Sequence, residues 1–253
     1  MALIDYLITG IWYSICILAV GLLPYLLLAF CMQKISQSLQ NSLSKGVGKK
    51  VFIYATAPGV MIHELGHVVF CILFGHRIRK VKLFSPDNDG TLGYVSHSYN
   101  PDNYFQRIGN FFIGTGPIWG GIFALYLISV ILLPKGMIVF DSDISQTISS
   151  FFSGLFSLKF LFSWKTLLWL YLSFSIAAHV TLSPPDLEGA SDGFILIATG
   201  IFLGTLLFGW LGQWEIQLVQ IEFQLLLNLF ASMVSFLLVL FLAAVLCRMC
   251  IKK

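Results

Sequence analysis

Residues 63–67 read His-Glu-Leu-Gly-His. On a helix, positions i and i+4 share a face, so His63 and His67 project together. Two imidazoles at that separation can both reach one zinc ion at about 2.0–2.1 Å. Glu64 lies beside them, and in this pattern the carboxylate serves as base toward a zinc-activated water. Gly66 keeps the adjacent surface open for a neighbouring helix or a substrate. The plainer reading is a polar helix face packed against other helices. With only five histidines and four glutamates in the chain, shuffling would produce the pattern on the order of once in a thousand chains. Chance explains it poorly.

A catalytic zinc takes three protein ligands and keeps a fourth position for water, so a third ligand must come from elsewhere. Residues 179–193, HVTLSPPDLEGASDG, offer His179, Asp186, Glu188 and Asp192 and no positive charge. Asp186 is favoured and Asp192 is the second candidate. Ser183-Pro184-Pro185-Asp186 also reads as an N-cap serine, a proline at the first helical position and an acid three residues after the cap. The two roles of Asp186 are compatible, because a cap fixes the direction of the carboxylate. His179 is either a ligand, a substrate contact or a hydrogen-bonded packing residue.

The elements that must position these groups are hydrophobic. Of 253 residues, 57% are hydrophobic and 11% charged, with mean hydropathy +0.86, whereas a soluble domain carries about 25% charged residues. Six apolar stretches read as membrane spans: Leu7–Met32, Val51–Gly75, Phe111–Pro134, Leu167–Leu182 (starting nearer Trp164), Phe194–Leu211 and Phe223–Leu246. The expected fold is an all-α polytopic membrane protein of about six transmembrane helices in a single domain over residues 1–253. Spans two and four run in the same direction, so the end of span two that carries His63 and His67 shares a membrane face with the residues after span four. That topology is what brings Asp186 into consideration.

Between spans two and three, KVKLFSPDNDGTLGYVSHSY places a Pro-Asp-Asn-Asp-Gly turn between two segments rich in Val, Leu, Phe, Tyr and Thr, which predicts a small β-hairpin. The aromatic stretch ISSFFSGLFSLKFLFSW is expected to lie in the membrane interface. MALIDY lacks a basic n-region and the apolar run behind it is too long for a signal peptide, so it reads as a retained span. Cys16, Cys31 and Cys71 fall within spans and are expected to pack as small apolar residues. Cys247 and Cys250 form a lone C-x-x-C, a weak sign of metal or redox chemistry. The net charge of +3 is divided among loops, and no nucleic-acid partner is expected. With both termini cytoplasmic, eight basic residues fall inside and seven outside, so the positive-inside rule barely chooses.

Together these residues resemble the site-2 protease family of intramembrane zinc metalloproteases over roughly residues 51–195. HELGH matches that family's zinc-binding pattern fully. SPPDLEGASDG is similar to its Asn-Pro-x-x-Asp-Gly element, with Asp186, or less closely Asp192, at the ligand position. GTGPIWGG, residues 114–121, is similar to its Gly-Pro-x-x-Asn element, with Gly120 where asparagine would stand. The basic hairpin 77–99 resembles the family's substrate-contacting β-element.

The resemblance implies one Zn2+ held by His63, His67 and Asp186, with Glu64 as general base, and hydrolysis of peptide bonds in a transmembrane protein or peptide substrate that must first unwind. It also implies zinc near the cytoplasmic side, and a prokaryotic cytoplasmic membrane is the expected location.

A rival assignment comes from Glu188-Gly-Ala-Ser-Asp192, which resembles the Glu-x-x-x-Asp pattern of membrane proteases of the prenyl-protein and heat-shock type, with Glu188 as third ligand. A non-catalytic metal-binding protein sits poorly with an intact Glu64. Metal transport sits poorly with the scarcity of His and acidic residues in spans one, five and six. Gln224 and Asn228, at i and i+4, read as interhelical hydrogen-bond partners.

Overall fold

The computed structural model describes residues 4–16, 48–87, 90–134 and 163–210, with isolated positions between 18 and 37 and Ser149. Helix α1 covers residues 4–16. There follow α2 (Lys49–Ala55), α3 (Ala57–Leu73), strands β1 (Arg77–Lys82) and β2 (Tyr94–Ser98), α4 (Tyr104–Gly114), α5 (Gly116–Leu132), α6 (Trp164–Ala177) and α7 (Pro184–Trp210). The chain is mostly helical, and the expected hairpin is present. Within α7, Pro184–Leu207 is long and apolar enough to cross a membrane, and two bent helix pairs pass the same test if each is one span. The expected span 223–246 with Gln224 and Asn228, the 247–250 pair, half of 7–32 and nearly all of the aromatic stretch 148–164 lie outside the described residues.

The second and third expected spans are each broken in two. Helices α2 and α3 meet at 58° across Thr56, and α4 and α5 meet at 59° across Thr115. A proline follows each break, Pro58 and Pro117. Proline has no amide hydrogen and its ring collides with the carbonyl four residues back, so a helix restarts there rather than continuing. Helix α4 begins at Tyr104, ahead of the expected Phe111, because the Asn103 side chain accepts hydrogen bonds from the Phe105 and Gln106 amides at 3.0 and 3.3 Å. Helix α6 stops at Ala177, short of Leu182. Helix α7 starts at Pro184 rather than Phe194, at the Ser-Pro-Pro-Asp start signal.

Helix α3 packs against α5, α6 and α4, and α4 packs along α7. The buried apolar centre gathers Ile118 and Ala124 of α5, Ile176 and Ala177 of α6, and Val180 and Leu182 beyond α6. Trp169 is fully buried, and its Nε1–H donates to Ser129 Oγ at 2.8 Å. The α3–α5 crossing is a glycine contact: a Cβ on Gly116 would stand 2.8 Å from the Gly66 carbonyl oxygen, and one on Gly120 would stand 3.0 Å from Gly66 Cα. The open surface at Gly66 is therefore taken by helix α5 and not by substrate. Large apolar side chains point outward from the same helices, including Ile72, Phe123, Ile131, Leu167, Ile195 and Leu203.

In the hairpin, β1 and β2 run antiparallel, with Arg77 opposite Ser98, Ile78 opposite His97 and Lys82 opposite Tyr94, and an irregularity between Ile78 and Lys80. The connection is tied by the Ser85 amide on the Leu92 carbonyl at 2.7 Å and the Asp87 amide on the Thr91 carbonyl at 2.8 Å.

Candidate metal centre

His63 and His67 leave α3 on one face, with ring centroids 5.1 Å apart. Each ring is held from behind by a backbone carbonyl. The Nδ1–H of His63 donates to the His179 carbonyl at 2.8 Å, and that of His67 donates to the Ile113 carbonyl at 2.7 Å. Both carbonyls lie at helix ends, where intrahelical donors run out. With Nδ1 protonated, each neutral ring carries its lone pair on Nε2, directed toward Asp186.

Asp186 arrives from the first turn of α7. Its Oδ2 accepts from the Ser183 amide at 2.7 Å and the Ser183 hydroxyl at 2.6 Å, and its own amide faces Ser183 Oγ at 3.4 Å. That reciprocal cap aims the carboxylate at the histidines. Oδ1 lies 3.3 Å from His67 Nε2, and Oδ2 lies 4.0 Å from His63 Nε2. Two ring lone pairs facing a carboxylate repel unless a cation lies among them, either a proton on a ring or a metal ion. One donor atom from each of the three side chains falls within 4.8 Å of the others. Tetrahedral zinc with bonds of about 2.1 Å separates its donors by roughly 3.4 Å. The donor set and its spacing fit zinc.

Glu64, 6% exposed, borders the same cavity of about 610 Å³, as do His63, His67 and Asp186. The opposite wall is the lead-in to β2 and β2 itself, Gly90–Val95 and His97. Gly93 rests on the general-base candidate, since a Cβ there would stand 2.9 Å from Glu64 Cγ and 2.8 Å from the Lys82 carbonyl oxygen. Burial lowers the pKa of His97, helped by the neighbouring His76 and His67. Burial also lowers that of His76, opposed by its hydrogen bond to the Gln106 carbonyl.

The other candidates separate. Asp192 turns away from the histidines: Arg107 grips it through Nη2–Oδ1 at 2.7 Å and Nε–Oδ2 at 3.3 Å, and Asn110 Nδ2 reaches Oδ2 at 3.5 Å. It ties α7 to α4. Glu188 is exposed on α7 and is absent from the converging donor groups among the described residues. His179 is buried, with Nε2 on Thr56 Oγ1 at 2.8 Å, and it contributes a carbonyl that orients His63 rather than a ligand atom. Sequence reasoning does not identify Ile113, Asn110 or His97 as part of this region. The nearest signal for Ile113 is Pro117 four residues on.

No family model, curated protein or solved structure matches this chain.

Proposed function

We propose that this chain is a multi-pass membrane zinc metallopeptidase, similar in kind to the site-2 proteases, that hydrolyses peptide bonds in membrane-embedded protein segments. The observation that carries the reading is the meeting of His63 Nε2, His67 Nε2 and the Asp186 carboxylate beside a buried Glu64. Ionisable groups among apolar helices are costly and seldom kept without a use. Apolar side chains facing outward from α3, α5, α6 and α7 support the membrane setting.

A bound Zn2+ would supply Lewis-acid polarisation of the scissile carbonyl and activation of a water molecule. The rest falls to the chain itself. His63 and His67, each locked by a backbone carbonyl, and Asp186, locked by its cap, hold their donor atoms in place with little reorganisation. Glu64 accepts the proton that water loses as its oxygen attacks the carbonyl carbon. It then delivers that proton to the amine released when the C–N bond breaks. A helical substrate hides its carbonyls in its own hydrogen bonds, so a segment must unwind before attack. The β2 side of the cavity offers extended backbone with which an unwound segment pairs as an added strand.

The test compares detergent-purified wild type with Asp186→Ala and Glu64→Gln, reading zinc content and cleavage of a transmembrane peptide. Asp186→Ala is expected to lose the zinc held with His63 and His67. Glu64→Gln is expected to keep zinc and lose about 10²–10⁴-fold in rate, the span general-base removal usually costs. Full zinc in Asp186→Ala, or full activity in Glu64→Gln, ends the reading.

A further inference from the structure

Helix α3 carries a third ligand-type side chain in the same register. Cys71 follows His67 by four residues, as His67 follows His63, so its thiol leaves the same face one turn on. The helix then closes on Gly75 at φ 68°, a left-handed conformation that glycine adopts without strain. The Gly75 amide donates to the Ile72 carbonyl at 3.2 Å and the His76 amide to the Cys71 carbonyl at 2.8 Å. These paired bonds form a Schellman cap, which folds His76 back over the turn bearing Cys71. His97 enters from β2, placed by its pairing with Ile78 of β1.

The Cys71 sulfur and one nitrogen of each imidazole lie within 4.8 Å of one another, and the two Nδ1 atoms are 3.0 Å apart. The Nε2–H of His76 donates to the Gln106 carbonyl at 2.8 Å. That bond leaves the Nδ1 lone pair turned inward, and it is the outer hydrogen bond by which metal-bound histidines are ordinarily held. Cys71 and His76 are both buried.

We infer that Cys71, His76 and His97 form a second cation site, suited to Zn2+, that fastens the hairpin to the end of α3. One thiolate with two imidazoles suits a borderline-soft ion and not Mg2+ or Ca2+, which take oxygen ligands. A single proton shared by the two rings would satisfy them but would give the thiol no role. The site matters for the cavity because the strand it anchors forms the wall over Glu64. It uses none of the ligands of the first centre and stands whether or not that centre is catalytic.

The test uses the full chain with Cys247 and Cys250 changed to serine, saturated with Zn2+ or Co2+ and freed of excess ion. Two zinc ions per chain are expected, falling to one in Cys71→Ser and, separately, in the partly exposed His97→Gln. Asp186→Ala is also expected to hold one, so the two sites empty independently. With Co2+, a thiolate-to-metal charge-transfer absorption is expected in the parent and in Asp186→Ala, and is expected to vanish in Cys71→Ser and weaken in His97→Gln. Zinc content in Cys71→Ser and His97→Gln that is unchanged from the parent, or no thiolate absorption in the parent, overturns the inference. Should Cys71→Ser fail to fold, the parent spectrum and His97→Gln decide it.

Discussion

The carbonyl of Ile113 accepts the Nδ1–H of His67 at 2.7 Å, and the residue whose amide would have met that carbonyl in an unbroken helix is Pro117. An α-helix pairs each amide with the carbonyl four residues earlier, and proline has no amide hydrogen to offer. The break between α4 and α5 therefore supplies the acceptor that sets the tautomer of His67, a proposed metal ligand on α3. Helix disruption in one element becomes ring orientation in another.

Pro117→Ala restores a competing donor at the Ile113 carbonyl and removes the ring that forces the bend. Its zinc affinity is expected to fall by about 10–100-fold, the usual effect of disturbing the group behind a ligating histidine, with little change in helix content. Competition with a chelator of known strength measures this. An affinity equal to that of wild type would mean the carbonyl serves His67 whatever residue stands at 117.

Asp186 caps α7 and is proposed to bind metal, and substitutions separate the two roles. Ser183→Ala removes the hydroxyl partner of Oδ2 but keeps the carboxylate, so zinc should remain while the metal-free protein loses about 1 kcal/mol, the ordinary value of an N-cap. Asp186→Asn keeps an oxygen for the Ser183 amide and loses the charge, so the zinc at this centre should go with a smaller loss of stability. Unfolding of the metal-free proteins, read beside their metal content, checks the pair. If Ser183→Ala loses zinc as completely as Asp186→Asn, the cap and the ligand are one function.

What sequence makes legible here is what depends on short separations. The His63–His67 pair follows from one turn of helix. The Asp186 cap follows from Ser183 three residues before it, and the hairpin follows from a Pro-Asp-Asn-Asp-Gly turn between strand-forming residues. The helix breaks at Thr56 and Thr115 are not legible in the same way, because proline inside an apolar stretch is compatible with a kinked span as well as with a restart. Gly66 suggests open space, and only the crossing partner, Gly116, shows what fills it. The Arg107–Asp192 pair spans 85 residues, beyond any local pattern, so Asp192 stays a second candidate until its partner is seen. Cys71 reads as packing until the hairpin brings His97 beside it.

That pairing yields a discriminating experiment. Asp192→Asn breaks a two-point contact between partly exposed groups, with side chains 31% and 38% exposed for Arg107 and Asp192. Solvent screening keeps such a pair weak. The zinc content of Asp192→Asn should equal that of wild type, with at most a small loss in thermal stability. Loss of zinc in this variant, with Asp186→Asn retaining it, would reverse the assignment of the third ligand.

Gly93 tests whether the hairpin acts on the proposed catalytic centre rather than merely lying near it. A methyl group at this position would stand 2.9 Å from Glu64 Cγ and 2.8–3.0 Å from the carbonyl oxygens of Lys82 and Leu83. Those backbone atoms cannot yield cheaply, so either the strand lifts or Glu64 turns. Neither movement touches His63, His67 or Asp186. Gly93→Ala should therefore keep its zinc and lose activity, by about tenfold or more if the cost of overpacking, roughly 1–3 kcal/mol, falls on the placement of Glu64. Metal analysis and peptide cleavage on one preparation distinguish the outcomes. Unchanged cleavage would show that the hairpin can shift away without consequence, and would remove the basis for substrate pairing along β2. Loss of zinc together with activity would instead mean that this wall supports the ligands themselves.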